Sequence, residues 1–226
     1  MPSRYNLTTP LDAVRAYFGV AGGEPYPARY NIAPTQPVLI IRLDQARKSE
    51  LALVRWGLIP SWAKDPARLS PMINARAETA AEKASFRGAM RHRRCLVPAN
   101  GFYEWTGKPG TRQPHLIRRP DGGLLAFAGL WESWLGADGS EIDTMAILTV
   151  AANSAIAPLH DRMPAILGPE TFDAWLDTRG FTAEMATEML RPAPESLLEH
   201  VAVDPRLNNA RNEGPELIAP HGETLL

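Results

Sequence analysis

Glu104 and His160 are the residues of this chain best suited to moving protons. Glu104 sits in Gly101-Phe102-Tyr103-Glu104-Trp105. Strand alternation puts Phe102 and Glu104 on one face, Tyr103 and Trp105 on the other. A carboxylate on so apolar a strand is either solvated, paired with an arginine, or a general acid/base whose pKa is lifted by its surroundings. His160 opens His160-Asp161-Arg162-Met163-Pro164, directly before an apolar run. It is either a proton carrier near neutral pH or a ring bonded to backbone at a strand entrance. Asn74 and Arg76 are two apart at the entrance of a helix predicted over 75–87. Asn74 suits an N-cap, and a phosphate at Arg76 would meet both a guanidinium fork and free backbone N–H groups.

A second group of residues has the chemistry of nucleic-acid contact. Arg87, Arg91, His92, Arg93 and Arg94 form a basic run, which is either a solvated face or a track for a phosphate backbone. Trp56, Trp62 and Trp105 sit in or beside turns near these groups, where rings either pack a core or stack on bases splayed from a single strand. Cys95, the single cysteine, starts an apolar strand and reads as a packed, inert thiol. The five histidines show no metal-ligand spacing, so neither a metal nor a cofactor is expected.

These side chains must be held by an α+β scaffold. Thr9-Pro10-Leu11-Asp12 reads as a helix start, with Thr9 as N-cap, and Gly19 as its end. Residues 37–43, 50–56, 95–98, 101–106, 143–151 and 197–203 read as strands. Pro120-Asp121-Gly122-Gly123 and Ala137-Asp138-Gly139-Ser140 read as hairpin turns. Residues 169–177 and 182–190 read as helices, the first burying Phe172, Trp175 and Leu176. About eight strands joined by hairpins, with few helices, argue for a mainly antiparallel, curled, barrel-like sheet with flanking helices.

The bulk numbers agree with one domain over 1–226, its last stretch from about 206 a surface tail. The chain has 226 residues, 45% hydrophobic and 22% charged, with a net charge of -1. That balance excludes a globally basic DNA-coating protein but permits a local basic patch. No apolar run approaches the roughly 20 residues that span a bilayer, and no signal peptide opens the chain. A single cysteine cannot form an internal disulfide, which fits a cytoplasmic protein.

Five segments carry a resemblance: residues 1–5, 56–63, 74–78, 101–105 and 160–164. With Tyr30-Asn31-Ile32-Ala33-Pro34-Thr35, Phe127-Ala128-Gly129-Leu130-Trp131-Glu132 and Leu148-Thr149-Val150-Ala151-Ala152-Asn153, their order and spacing resemble the SOS-response-associated peptidase family, the abasic-site processing proteins, from residue 1 to about 205. The resemblance implies a monomer acting on single-stranded DNA with abasic sites. It implies that Glu104 and His160 handle protons and that Asn74 and Arg76 position sugar and phosphate. Arg4, Trp56, Trp62, Trp105 and Arg162 are then the DNA contacts. The peptidase in the name implies no more than removal of the family's own first methionine. No Ser/His/Asp spacing supports an ordinary protease.

Family members begin Met-Cys-Gly-Arg, and their exposed cysteine closes a Schiff base with the ring-opened sugar into a thiazolidine. Here the matching positions are Pro2 and Ser3, and without a thiol that closure is impossible. With Met1 retained, the Pro2 nitrogen is a tertiary amide, and the chain is a DNA-binding module without the nucleophile. With Met1 removed, Pro2 is a secondary amine of the α-amino class, with a pKa about 8 against about 10.4 for lysine. Such an amine gives an iminium with an aldehyde, an electron sink that promotes β-elimination.

Overall fold

The computed structural model describes residues 2–108 and 110–221. In chain order the strands are β1 (Tyr5–Leu7), β2 (Arg29–Ile32), β3 (Pro37–Leu43), β4 (Ser49–Trp56), β5 (Asn74–Arg76), β6 (Arg94–Ala99), β7 (Gly101–Thr106), β8 (Gln113–Arg118), β9 (Leu125–Leu135), β10 (Glu141–Ala151), β11 (Arg162–Pro164) and β12 (Glu199–Ala202). The helices are short: α1 (Leu11–Phe18), α2 (Ala77–Ala80), α3 (Arg87–His92), α4 (Phe172–Leu176) and α5 (Ala183–Glu188).

Five strands close on themselves. β10 pairs with β4, β4 with β3, β3 with β6, β6 with β9, and β9 back with β10. A closed ring leaves no exposed edge. Its pairings are antiparallel except for β4–β10. At the far end of β10 the ring frays into two short strands, β5 on one side, parallel, and β11 on the other, antiparallel. The second sheet runs β12-β8-β7-β1-β2. Its inner face, with Tyr5, Phe102 and Ile117, joins the main core. Tyr5 meets Trp56 and Phe127 edge-on, with ring centroids 5.3 and 6.1 Å apart, and Phe102 meets Phe127 at 5.9 Å. Burying each such ring contributes about 1.5–3 kcal/mol, so this seam fixes one sheet against the other.

Local sequence explains the joints. Asn100, between β6 and β7, accepts from the Thr8 and Thr9 amides at 2.7 and 2.9 Å and donates to the Thr9 hydroxyl at 2.7 Å. Thr9 is thus tied to Asn100, and Pro10 takes the N-cap position of α1. Gly101 opens β7 because a Cβ there would lie 2.6 Å from the Ile117 carbonyl oxygen. Gly19 ends α1 in the left-handed region, φ 64°.

Several expectations are corrected. The helix expected over 75–87 is a strand, a single helical turn, a linking turn and then α3. Residues 74–76 are drawn into pairing with β10, which outweighs the helix propensity of the alanines that follow. Asn74 is therefore a strand residue, and α2 has Arg76 at its N-cap without a side-chain cap. Residues 120–123 turn the chain from one sheet to the other rather than forming a hairpin, since β8 pairs with β7 and β12 and β9 with β6 and β10. The turn at 137–140 does join paired strands.

Within the expected surface tail, residues 206–221 pack against the second sheet. Leu207 and Leu217 are buried with Tyr103, Leu116 and Val203 in a second apolar cluster on the outer face of β7 and β8. The buried Asn31 amide donates to the carbonyls of Leu207, Asn209 and Asn212 at 3.2, 3.1 and 3.0 Å. The segment is a strap, closed by a bridge between Val203 and Pro220. Residues 222–226 of the expected tail lie outside the described residues. Among the described residues no helix is long and apolar enough to cross a membrane.

Candidate functional site

Residue 2 is seated by its main chain. β1 runs antiparallel to β7 with Tyr5 opposite Phe102, and the Tyr103 amide donates to the Arg4 carbonyl at 3.0 Å. This register carries residues 2–4 alongside Tyr103–Trp105. Pro2 is buried. The Asn74 side-chain amide reaches across from β5 and donates to the Pro2 carbonyl at 2.8 Å. The other polar atom of Asn74, Oδ1, is buried with no hydrogen-bond partner among the described residues. β5 is thus a bracket hung from β10, and its first residue holds the start of the chain.

Glu104 shares a face with Phe102, as strand alternation predicts, and that face is the inner one. Phe102 lies in the main core, and Tyr103 and Trp105 join the outer cluster. The Glu104 residue is 5% exposed. Burial pushes its carboxyl above the usual range; positive charge nearby, His160 included, acts the other way, and Asp161 adds to the rise. Glu104 and His160, distant in sequence, therefore lie within electrostatic reach of each other.

His160 stands at the end of a turn, its amide bonded to the Ile156 carbonyl at 3.1 Å. Its Nδ1 has two neighbours: the Arg162 amide at 2.9 Å and an Asp161 carboxylate oxygen at 2.7 Å. The amide can only donate and the carboxylate can only accept. A neutral ring with its lone pair on Nδ1 takes the amide and carries its proton on Nε2. A ring with its proton on Nδ1 donates to the carboxylate instead.

The expected DNA contacts divide. Trp56 is corrected: it is fully buried against Tyr5, its indole N–H on the Ile73 carbonyl at 2.9 Å, and it offers no face to a base. Trp62 is 58% exposed beside a cavity of about 240 Å³ lined by Arg87, Arg91, His92 and Glu132. Trp105 is half-buried, its N–H on Asn208 at 2.6 Å, in the wall of a cavity of about 390 Å³ shared with Ser3, Arg4 and Arg112. Arg4 donates to Asn31 at 2.7 Å and to the Leu207 carbonyl at 3.2 Å, tying the chain start to the strap as well as lining that cavity.

Arg76 is exposed at the mouth of α2, close enough to help hold the Glu78 carboxyl low. Arg162 is not a free phosphate ligand: its fork is committed to Glu78 at 2.6 and 2.8 Å, and it also contacts the Thr149 carbonyl. The basic run is split. Arg94 is buried and donates to the carbonyls of Trp175, Met90, Asp177 and Phe181, with burial lowering its pKa to about 10. Arg93 pairs with the buried Glu132 at 3.1 Å. Cys95 is fully buried, which pushes its thiol far above the usual range and makes it inert. The sequence reading missed Asp161, Glu78 and Arg112. Asp161 lies inside the quoted His-Asp-Arg motif, whereas nothing local marks Arg112.

The chain matches the family described as SOS response associated peptidase over residues 1–210. It is 38% identical to the abasic site processing protein YoqW of Bacillus subtilis (strain 168), across 98% of this chain and 100% of that one. It is 35% identical to the abasic site processing protein HMCES of Gallus gallus, across 86% of this chain and 67% of that one. A crystal structure from Bordetella bronchiseptica superposes with a TM-score of 0.77 at 30% identity, covering 89% of this chain and 99% of that one. Another from Bacteroides thetaiotaomicron superposes at 0.84 and 24% identity, covering 96% and 99%, a likeness of fold alone. Matched by that family over nearly its whole length and by relatives at 38% and 35% identity, this protein belongs to the SOS response associated peptidase family.

Proposed function

We propose that this protein processes abasic sites in single-stranded DNA, with residue 2 as the point of capture. The observation that carries this reading is the bond from Asn74 to the Pro2 carbonyl, beside the strand that presents the buried Glu104. A flexible chain start would sample many positions; here its main chain is fixed before any ligand arrives.

In a chain that has lost Met1, Pro2 ends in a secondary amine. Its nitrogen attacks the aldehyde carbon of the ring-opened sugar, forming an N–C bond and a carbinolamine. Glu104 and His160 supply the proton with which the oxygen leaves as water, giving an iminium. Loss of a proton from the neighbouring carbon then expels the 3′ phosphate, and the strand breaks on that side. No thiol lies beside the amine, so no thiazolidine forms. Arg76 and Arg4 hold phosphates, and Trp62 and Trp105 stack on bases that a duplex would keep paired.

Proline where the family has cysteine also favours a second reading, in which the chain keeps Met1 and binds abasic DNA reversibly. Denaturing electrophoresis of a single-stranded abasic oligonucleotide separates the two. The Met1-free chain is expected to give an adduct only with borohydride, together with slow 3′ cleavage. The Pro2→Cys chain, likewise freed of Met1, is expected to give a heat-stable adduct without borohydride. A heat-stable adduct from the unaltered chain overturns the role of Pro2. Absence of any adduct from the Met1-free chain, with binding intact, establishes the reversible reading.

A further inference from the structure

Glu104 is the first of three titratable side chains set in a row across neighbouring strands. It directly opposes His115 on β8, and opposed residues project to the same face with Cβ atoms about 4.5–5.5 Å apart. That is the face on which Phe102 and Ile117 enter the main core. On β12, His200 opposes Ile117 and so shares the face, with its ring centroid 5.7 Å from that of His115. Exposure rises along the row: Glu104 is buried, His115 half-buried and His200 exposed.

His115 has a polar cost that packing does not explain. Its Nε2 lies 3.0 Å from the Thr106 hydroxyl. Its Nδ1 is buried with no hydrogen-bond partner among the described residues. A phenyl ring would fill the same position without leaving a buried nitrogen unmatched. Burial and the neighbouring His200 both disfavour its charged form, which leaves a neutral ring with a lone pair free. Other charges near the row are His160 and Asp161, which act on Glu104 from the 160–161 turn. Arg118 and Glu199 pair at 2.9 Å on the opposite face.

We propose that Glu104, His115 and His200 form a proton path from the buried carboxyl to solvent at the sheet edge. The path deepens the reading of Glu104 as a proton carrier and rests on it for its purpose. Since no group among the described residues lies within hydrogen-bond distance of His115 Nδ1, the carboxyl proton passes through one bridging water to its lone pair. The proton on Nε2 passes on to His200 or to water, with the Thr106 hydroxyl orienting the ring. The acid becomes a carboxylate, one proton leaves, and no electrons are exchanged. Ring rotation or the reverse transfer restores the first tautomer. His115 is then a positioning and relay residue, without contact to DNA.

Two measurements on the full chain test this. The first follows the histidine rings by NMR titration without DNA. In Glu104→Gln the His115 midpoint is expected to move by roughly half a pH unit, because the side chain directly opposite it can no longer ionise. In His200→Gln it is expected to rise by a similar amount. A His115 midpoint unmoved by both substitutions overturns the path, whether or not the chain acts on DNA. The second measures borohydride trapping of abasic DNA by the Met1-free chain in weak buffer. His115→Phe is expected to slow trapping about tenfold, and added imidazole to restore it; a packing defect would not respond to imidazole. An unchanged rate in His115→Phe also overturns the path. If the unaltered chain traps nothing, the abasic-site reading fails, and the titration alone decides the path.

Discussion

The Asn74 amide and the Pro2 carbonyl oxygen are 2.8 Å apart, joined by a hydrogen bond that links a strand of the barrel to the start of the chain. Because the bond is to main chain, it is indifferent to which side chain residue 2 carries. It would seat a cysteine as well as a proline.

Asn74→Asp keeps the size and removes the donor. The Pro2 carbonyl then faces a carboxylate. Net stability should drop by about 1 kcal/mol, the typical worth of one hydrogen bond. Trapping of abasic DNA by the Met1-free chain should fall roughly a hundredfold, because positioning is lost at the reacting residue. Thermal melts and single-turnover trapping measure the two. A stability loss without a rate loss would show that residue 2 is seated some other way.

Glu104 should make the protein less stable as the pH rises. Burial lifts its carboxyl above the ordinary carboxylate range. Between the ordinary and the raised value the native state binds more protons than the unfolded one. Its stabilising contribution is therefore complete below that window and is lost as pH rises through it. Glu104→Gln removes the dependence. At neutral pH the variant should be the more stable by about 1 kcal/mol, while proton-transfer steps slow about a hundredfold or more. Denaturant melts at acid and neutral pH provide the check, and a variant less stable than the parent at neutral pH would falsify the account.

Trp62 and Trp56 should respond oppositely to removal. Trp62 is exposed, so Trp62→Ala should leave the melting temperature unchanged and weaken single-stranded DNA binding by about 1–3 kcal/mol. Trp56→Ala empties a fully buried site and should cost about 3–5 kcal/mol of stability. Paired melts and binding titrations at fixed salt measure both. Unaltered DNA affinity in Trp62→Ala removes that ring from the interface.

Arg162 and Glu78 clamp β11 to the turn after β5. Glu78 is half open to water, so their coupling in a double-mutant cycle should be only about 0.5–1 kcal/mol. The larger effect should be on the chemistry, since the Arg162 amide is also a partner of His160 Nδ1. Arg162→Lys should hold the backbone and keep most of the trapping rate, whereas Arg162→Ala should lose more of it than of stability. Equal loss in both variants would mean that the fork itself touches the DNA.

What could be read from the sequence was whatever depends on near neighbours. That Glu104 shares a face with Phe102 follows from a period of two. The strand read over 143–151 and the turn at 137–140 follow from their composition. What could not be read depends on distant chain. Asn74–Arg76 is a strand only because β10 offers it an edge. Trp56 is buried only because Tyr5 comes to rest on it. Arg94 looks like its neighbours in the basic run, yet carbonyls from residues 175–181 draw it inside. Of the site, the membership of Asn74, Glu104 and His160 came from motif resemblance. Their physical connection, through Pro2 and through the field between Glu104 and His160, came from the folded chain.

The strap gives the site an order of assembly in time. Arg4 and Asn31, near the beginning of the chain, are both satisfied by the carbonyl of Leu207, near its end. On the ribosome the opening residues emerge long before their partners have been translated. During that interval Arg4 and Asn31 lack their closing contacts. Only when synthesis is nearly complete does the last segment lock the first.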